Sequence, residues 1–279
     1  MAPAESRGRL AFVGGGQMAA AIIEGVCRSG AVAAADVVVH DPAPAARDRL
    51  AARVPGVRFV ESGTAAAAAA PIVVLAVKPQ QAAAVCRAIG PGLSADAVLV
   101  SIVAGLSSGD LAQLAGTPRV VRVMPNTPAL VGRGVSVLCR TPDVPDAAAV
   151  AVRDLLATIG HVHEVDESLM DGVTAVSGSG PGFIALLVEA FADGGVKAGL
   201  PRPLALALAV QTLAGTAALL ETTGQHPAQV KDAVSSPGGT TITGLSVLEQ
   251  RGVRGAIIEA VIAAAQRSRE LGRPPAASH

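Results

Sequence analysis

Aromatic side chains are almost missing from these 279 residues: there is no Trp, no Tyr and only four Phe. A core without them has to be built from Ala, Val, Leu and Ile, which favours closely packed helices with small contact residues. Charge of one sign is missing too, because Lys plus Arg and Asp plus Glu both total 22. That balance argues against a nucleic acid or an anionic membrane held by a bulk field. Cysteine is scarce: Cys27, Cys86 and Cys139 are isolated, odd in number and without CxxC or metal-ligand spacing. They read as reduced thiols, so neither a disulfide framework nor a metal site is expected. Residues 1–8 carry Glu5 and Arg7 and no apolar segment, so no signal peptide is expected. The longest apolar run, 65–77, is broken by Pro71 and is too short to span a bilayer. The expectation is a soluble, cytoplasmic protein of one large or two ordinary domains.

Glycine, by contrast, is plentiful, with 31 residues. Residues 9–13 (RLAFV) form a short buried-strand pattern that runs into Gly14-Gly15-Gly16-Gln17-Met18-Ala19 and a helical stretch over 18–29. Strand, glycine turn and helix are the context a G-x-G-x-x-[G/A] fingerprint requires. Gly14 would make the tight turn, Gly16 would let a pyrophosphate approach the backbone, and Ala19 would let helix and strand pack closely. A second strand over 36–41 ends on Asp41, whose carboxylate either accepts from the adenosine ribose hydroxyls or caps the helix expected over 43–53. As a ribose reader it repels a 2′-phosphate and favours NADH, although Arg47 and Arg49 follow about a helical turn later. Further strands are expected at 57–60, 72–77, 98–103, 120–124, 135–138 and 161–165, with helices at 64–70, 106–115 and 147–159. Continuous β-branched runs alternating with helices give a doubly wound, mostly parallel sheet of Rossmann type over 1–165. Ligands sit beyond the carboxyl ends of such strands, so Ala76, Val77, Lys78 and Pro79 would border the cofactor. Asn126, held between Pro125 and the nearby Pro128, either hydrogen-bonds a nicotinamide or substrate or closes its turn.

After Val165 no further convincing strand appears, and 166–279 reads as an all-α domain. Helices are expected over 166–175, 182–198, 204–222, 230–234, 241–250 and 253–271, with a frayed tail over 273–279. Pro181 suits a first helical turn; Ser179 would cap it, and the loop either does only that or also approaches nicotinamide or substrate. The helix over 204–222 has too much apolar surface to stand free, and a subunit interface suits it. Between the last helices lies Ser235-Ser236-Pro237-Gly238-Gly239-Thr240-Thr241. Two glycines after a proline let backbone approach a ligand, and the helix start that follows offers unpaired N–H donors to a small carboxylate.

In this order and spacing the motifs resemble pyrroline-5-carboxylate reductase. The match runs through Gly14-Gly15-Gly16-Gln17-Met18-Ala19, Ala76-Val77-Lys78-Pro79-Gln80, the stretch from Arg122 to Pro128, Ser177-Gly178-Ser179-Gly180-Pro181 and Ser236-Pro237-Gly238-Gly239-Thr240-Thr241. Gln17 stands where family members often have Asn, and Gly182-Phe183 where an Ala-Tyr pair is common. The resemblance implies NAD(P)H-dependent reduction of 1-pyrroline-5-carboxylate to L-proline, the last step of proline synthesis. It implies a homodimer with interlocked helical domains, often associating into decamers, in which the Pro-Gly-Gly loop completes a site on the partner's Rossmann domain. It assigns the substrate carboxylate to the amides of Gly239, Thr240 and Thr241, pocket lining to Val234 and Ser236, and catalysis to the Thr241 hydroxyl facing the ring nitrogen. Family members commonly prefer NADPH, whereas Asp41 points to NADH, so both cofactors stay open. Two other readings fit part of the pattern. A β-hydroxyacid dehydrogenase would need a catalytic lysine in the helical half, where Lys197 and Lys231 are the candidates. A non-catalytic dinucleotide-binding regulator would not need the carboxylate loop.

Overall fold

The computed structural model describes residues 10–272. Expectations for 1–9, including Arg9 in the first strand, and for the tail 273–279 lie outside them. The chain forms two compact units: one runs to Gly178 and takes back the chain from Ala264 onward, and the other is Ser179–Ala263.

The first unit is built on an eight-stranded sheet. In chain order its elements are β1 Leu10–Val13, α1 Gln17–Arg28, β2 Val37–His40, α2 Pro44–Arg53, β3 Arg58–Phe59, α3 Gly63–Ala68 and β4 Ile72–Leu75. Then come α4 Pro79–Ile89, β5 Val98–Ser101, α5 Ser108–Ala115, β6 Val120–Met124, β7 Gly134–Arg140, α6 Asp146–Ala157 and β8 Gly160–Glu164. The spatial order is β3-β2-β1-β4-β5-β6-β7-β8. The first six strands are parallel, β7 is antiparallel to β6, and β8 runs parallel to β7 at the edge.

Alternation along the buried strands divides the core. Leu10, Phe12, Val37, Val39, Val98 and Val100 face α1, α2 and α6, where Ile23, Leu50 and Leu156 are buried. Ala11, Val13, Val38, Val73 and Leu99 face α3, α4 and α5, where Ala66, Cys86 and Leu111 are buried. Both faces are therefore covered, which explains the unbroken apolar strands. Chain direction across the sheet reverses between β1 and β4, the place where such folds open a crevice for ligands.

Element ends shift by a few residues from the sequence reading, and some differences are larger. Strand β4 ends at Leu75, so Ala76 and Val77 already belong to the following loop. Helix α4 was not expected; Pro79 in its first turn and Ala82, Cys86 and Ile89 on one buried face are its marks. Asp36 closes a 3-10 turn before β2 rather than opening the strand. The stretch expected as one helix over 166–175 breaks into a 3-10 turn Glu167–Leu169, α7 Met170–Val173 and a π-helical turn Thr174–Gly178.

Glu167 fastens that stretch to the sheet. Its carboxylate accepts from the Ser108 amide at 2.8 Å, from the Ser108 hydroxyl, and from Arg122 Nη1 at 2.9 Å. Burial pushes the Glu167 carboxyl up, but the bonds from Ser108 and Arg122 outweigh burial and hold it below the ordinary 4.5. A second tie comes from the last turns of the chain's final helix, where the Ser268 hydroxyl donates to Asp171 Oδ1 at 2.7 Å.

The second unit comprises α8 Gly180–Lys197, α9 Arg202–Thr223, α10 Pro227–Ala233, α11 Thr240–Gln250 and the first part of α12 Val253–Leu271. Small residues let α8 and α9 pack: Ala192, Ala205 and Ala209 are buried between them with Val188 and Val196 alongside. Ser179 precedes α8 in helical conformation and makes no capping bond, contrary to expectation. Much of the apolar surface stays exposed, including Phe191, Leu206, Leu208, Ile258 and Ile262. A groove of about 360 Å³ lined by Leu187, Phe191, Leu213 and Leu220 runs between α8 and α9. The stretches Glu167–Lys197 and Arg202–Thr223 are long and apolar enough to cross a membrane by length and composition, which the unbroken apolar runs alone did not reveal.

Replacing Glu167 by Gln should lower the unfolding free energy by about 1–3 kcal/mol at pH 7, because Arg122, only 11% exposed, loses its counter-charge. A depressed carboxyl stabilises above its unfolded value, and the gain is lost as pH falls through its folded value. Urea titrations should therefore show the gap between wild type and variant closing below pH 4.5.

Candidate active site

The glycine turn after β1 sits at the chain reversal and is held from both sides. The Gly14 amide donates to His40 O at 2.7 Å, and the Ala76 amide donates to Val13 O at 2.8 Å. Gly14 has φ +104°, and a Cβ on it would stand 2.3 Å from Ala76 O. Only glycine fits there. Gly15 donates its amide to Asp41 Oδ2 at 2.7 Å, while Asp41 Oδ1 accepts from the Ala43 amide at 2.8 Å. The carboxylate thus braces the glycine turn and holds the approach to α2, whose N-cap is Ala43 with no side-chain capping bond.

Gly16 is different. It is exposed, lies in extended backbone at φ −67° and ψ −179°, and a Cβ on it would meet nothing within 4 Å. The turn thus opens outward at Gly16, directly before the free amides at the start of α1. Gln17 is exposed, Met18 half-buried, and Ala19 buried against the strands. Ala76 and Val77 are half-buried beyond β4, and exposed Lys78 precedes α4, with Pro79 at its first position. Gly14, Gly15, Gly16, Gln17, Met18, Asp41, Ala76, Val77, Lys78 and Pro79 therefore gather at the carboxyl ends of β1, β2 and β4. An open, side-chain-free turn leading into a helix start fits the pyrophosphate of a dinucleotide.

Asn126 follows β6, and its amide is engaged within the fold. Oδ1 accepts from the Val135 amide at 2.8 Å, and Nδ2 donates to Ser177 Oγ at 3.2 Å. It closes the turn between β6 and β7 and ties it to the π-helical turn. Ser177 as its partner was invisible in the sequence, since 51 positions separate the two.

In the second unit, the loop after α10 brings Val234, Ser236, Gly239, Thr240 and Thr241 together. Gly238 takes φ +65°, the Gly239 amide donates to Ser236 O at 3.0 Å, and a Cβ on Gly239 would stand 2.3 Å from Ser236 Oγ. Gly239 caps α11, so Thr240 and Thr241 are its first two residues. Thr243 turns its hydroxyl back to Gly239 O at 2.9 Å. Thr241 is half-buried, and its hydroxyl makes no hydrogen bond among the described residues. No charged side chain stands in the loop itself. Lys197 ends α8 and Lys231 lies on α10, both exposed.

Nucleophile chemistry finds no support in the thiols, because burial pushes Cys86 and Cys139 up to about 11 and raises Cys27 as well. A cavity of about 870 Å³ lies where β7 ends beside the start of β6, away from the glycine turn. Its Asp146 and Glu164 both already pair with Arg140.

Residues 167–271 match the family model for pyrroline-5-carboxylate reductase dimerisation, and residues 9–105 match that for NADP oxidoreductase, coenzyme F420-dependent. A pyrroline-5-carboxylate reductase of Pisum sativum is 44% identical over 262 residues, covering 94% of this chain and 95% of the relative. The chain belongs to the pyrroline-5-carboxylate reductase family. A Synechocystis member is 46% identical, with 95% of this chain and 98% of the relative covered. Among solved structures, the NADP-bound Plasmodium falciparum enzyme superposes with a TM-score of 0.86 at 34% identity, over 95% of this chain and 98% of its own. The Coxiella burnetii reductase gives 0.89 at 31% identity, over 96% and 100%. The family's fold, a Rossmann-type domain followed by a helical dimerisation region, is the fold described above. The dimerisation match includes both long apolar stretches.

The two outer glycines of the turn should separate by experiment. Gly16→Ala should leave thermal stability within about 1 kcal/mol of wild type, since its backbone suits alanine. Its affinity for NADPH, read by nucleotide fluorescence, should fall about tenfold or more, because the methyl occupies the open face. Gly14→Ala should instead lose stability outright, seen as a lowered melting temperature.

Proposed function

We infer that this chain reduces 1-pyrroline-5-carboxylate to L-proline with NADPH or NADH, as the last step of proline biosynthesis. The observation that carries the reading is the start of α11: backbone amides at Thr240 and Thr241, preceded by two glycines, with no charged side chain in the loop. Such a cradle suits a small carboxylate.

Gly14, Gly15, Gly16, Gln17 and Met18 would hold the dinucleotide's phosphates, with Asp41 at the adenosine ribose and Ala76, Val77, Lys78, Pro79 and Asn126 along the nicotinamide half. When bound, that cofactor supplies the hydride. The chain's own residues position the substrate. Amides of Gly239, Thr240 and Thr241 bind the carboxylate, and Val234 and Ser236 line the pocket. The Thr241 hydroxyl faces the ring nitrogen and holds its proton there. A protonated imine is already electrophilic, so alignment and electrostatics dominate and no strong general acid is required. This matches a loop without His, Cys or carboxylate.

Residues 166–279 serve as the dimerisation and substrate domain. The exposed apolar faces of α8 and α9 are covered by a second copy in a homodimer with interlocked helices, and these dimers associate further into decamers. The protein works in the cytoplasm, without a nucleic-acid or membrane partner.

A spectrophotometric assay with 1-pyrroline-5-carboxylate and with a β-hydroxyacid tests the reaction class. Oxidation of NADPH or NADH by the cyclic imine alone is expected, and turnover of the hydroxyacid alone would overturn the reading. Thr241→Ala should keep its melting temperature and nucleotide affinity while kcat/KM falls about tenfold. Unchanged kinetics would remove Thr241 from the mechanism.

A further inference from the structure

The last turn of α12 belongs to the first unit, where it meets two other elements. Ser268 in that turn is 8% exposed, and its hydroxyl donates to Asp171 Oδ1 at 2.7 Å, across 97 positions of sequence. Asp171 Oδ2 lies 3.8 Å from Arg269 Nε, so both carboxylate oxygens face the same turn of α12. Three positions after Ser268 the helix ends against the loop between β5 and α5. A Cβ on Gly105 would stand 3.3 Å from Leu271 O, and one on Gly272 would stand 3.5 Å from Gly105 O. A third contact closes the triangle, because Ser108 at the start of α5 is bonded to Glu167, one turn before Asp171. The β5–α5 loop, residues 167–171 and the end of α12 thus hold one another pairwise.

That junction lies on the side of the sheet where the ligand crevice opens. The Ile102 amide donates to Leu75 O at 3.1 Å and the Val103 amide to Ser101 Oγ at 3.3 Å, so the chain leaves β5 next to the end of β4. It then turns through half-buried Ala104 and Gly105, the latter at φ +86°. A dinucleotide with its phosphates at the glycine turn after β1 and its adenosine ribose at β2 has one direction left for nicotinamide, across the ends of β4 and β5. The turn 103–105 is then part of the surface on which the ring lies. A misplacement of about 1 Å at the reacting carbon costs up to about a hundredfold in rate, so whatever fixes this turn bears on turnover.

We propose that Ser268 is a positioning residue for hydride transfer: its bond to Asp171 clasps the end of α12 into the junction and so holds the 103–105 turn in the place that aligns the nicotinamide. The proposal rests on the reaction and the dinucleotide site inferred above. Ser268 acts through Leu271 and Gly105 rather than on the reacting atoms. Asp171 gives the clasp a second reach, since α7 continues into the turn that holds Ser177 against Asn126.

Steady-state kinetics of the full chain with 1-pyrroline-5-carboxylate and NADPH test this, together with calorimetric titration of NADPH and of 2′-phospho-ADP-ribose, the same nucleotide without nicotinamide. Ser268→Ala should keep its affinity for 2′-phospho-ADP-ribose within about twofold, which also reports an intact fold, while NADPH binds about threefold or more weakly. Its kcat should fall about tenfold with KM for the imine within about twofold. The isotope effect on kcat with NADPH deuterated at C4 should rise, because misaligned hydride transfer becomes the slow step. Asp171→Ala should reproduce these changes, and the double variant should lose no more than either single one. Ser268→Thr, which keeps the hydroxyl, should restore kcat. A lowered melting temperature with unchanged kcat would make the bond a support of the fold alone and overturn the proposal, as would equal weakening of both nucleotides. Absence of imine reduction by wild type would overturn the reaction itself, and the proposal with it.

Discussion

A carbonyl oxygen stands where the Cβ of any residue but glycine at position 14 would go. That contact, between the turn after β1 and Ala76 beyond β4, closes the junction at which the sheet reverses direction. Other features follow from it. The turn can be this tight because His40 O receives the Gly14 amide and Asp41 receives the Gly15 amide. With the first two glycines buried in these bonds, the third is turned outward, and α1 starts beside it with its amides free. The open turn is thus a by-product of how two parallel strands and their loops fit together.

The helical unit works under a different constraint. With no Trp or Tyr and few Phe, its helices pack through alanines, as Ala192, Ala205 and Ala209 do between α8 and α9. Small contacts bring helices close but bury little apolar area per helix. Apolar side chains therefore remain on the outside, Leu206 and Leu208 among them, in a quantity that a lone soluble chain does not present. The match to the pyrroline-5-carboxylate reductase dimerisation family covers the same residues.

Much of the fold was legible because its signals are local. Unbroken β-branched strands, a glycine turn and a proline at a helix start each follow from a few adjacent residues. What escaped depends on residues far apart. Helix α4 is rich in Ala and Gln, so its buried face at Ala82, Cys86 and Ile89 stands out only once β4 and α5 are beside it. The carboxylate of Glu167 looked like part of a helix, and only the fold brings Ser108 and Arg122 to it. Asp41 posed a choice between ribose and cap, while its bond to Gly15, 26 positions away, adds a role that neither spacing nor residue type suggests. Asn126 is similar: its flanking prolines signalled a fixed amide, but not that Ser177 and Val135 would take both ends of it. By contrast, the Pro-Gly-Gly-Thr-Thr loop was readable as a helix start with free amides, because its geometry is set by neighbours in sequence.

We infer that this chain delivers a hydride from nicotinamide C4 to the imine carbon of a cyclic imino acid. The most direct measurement uses NADPH dideuterated at that carbon with 1-pyrroline-5-carboxylate, followed by mass spectrometry and NMR of the product. The expected product is L-proline carrying a single deuterium on its δ carbon, formed in step with cofactor oxidation. Proline without deuterium, or cofactor oxidation without proline, would contradict it.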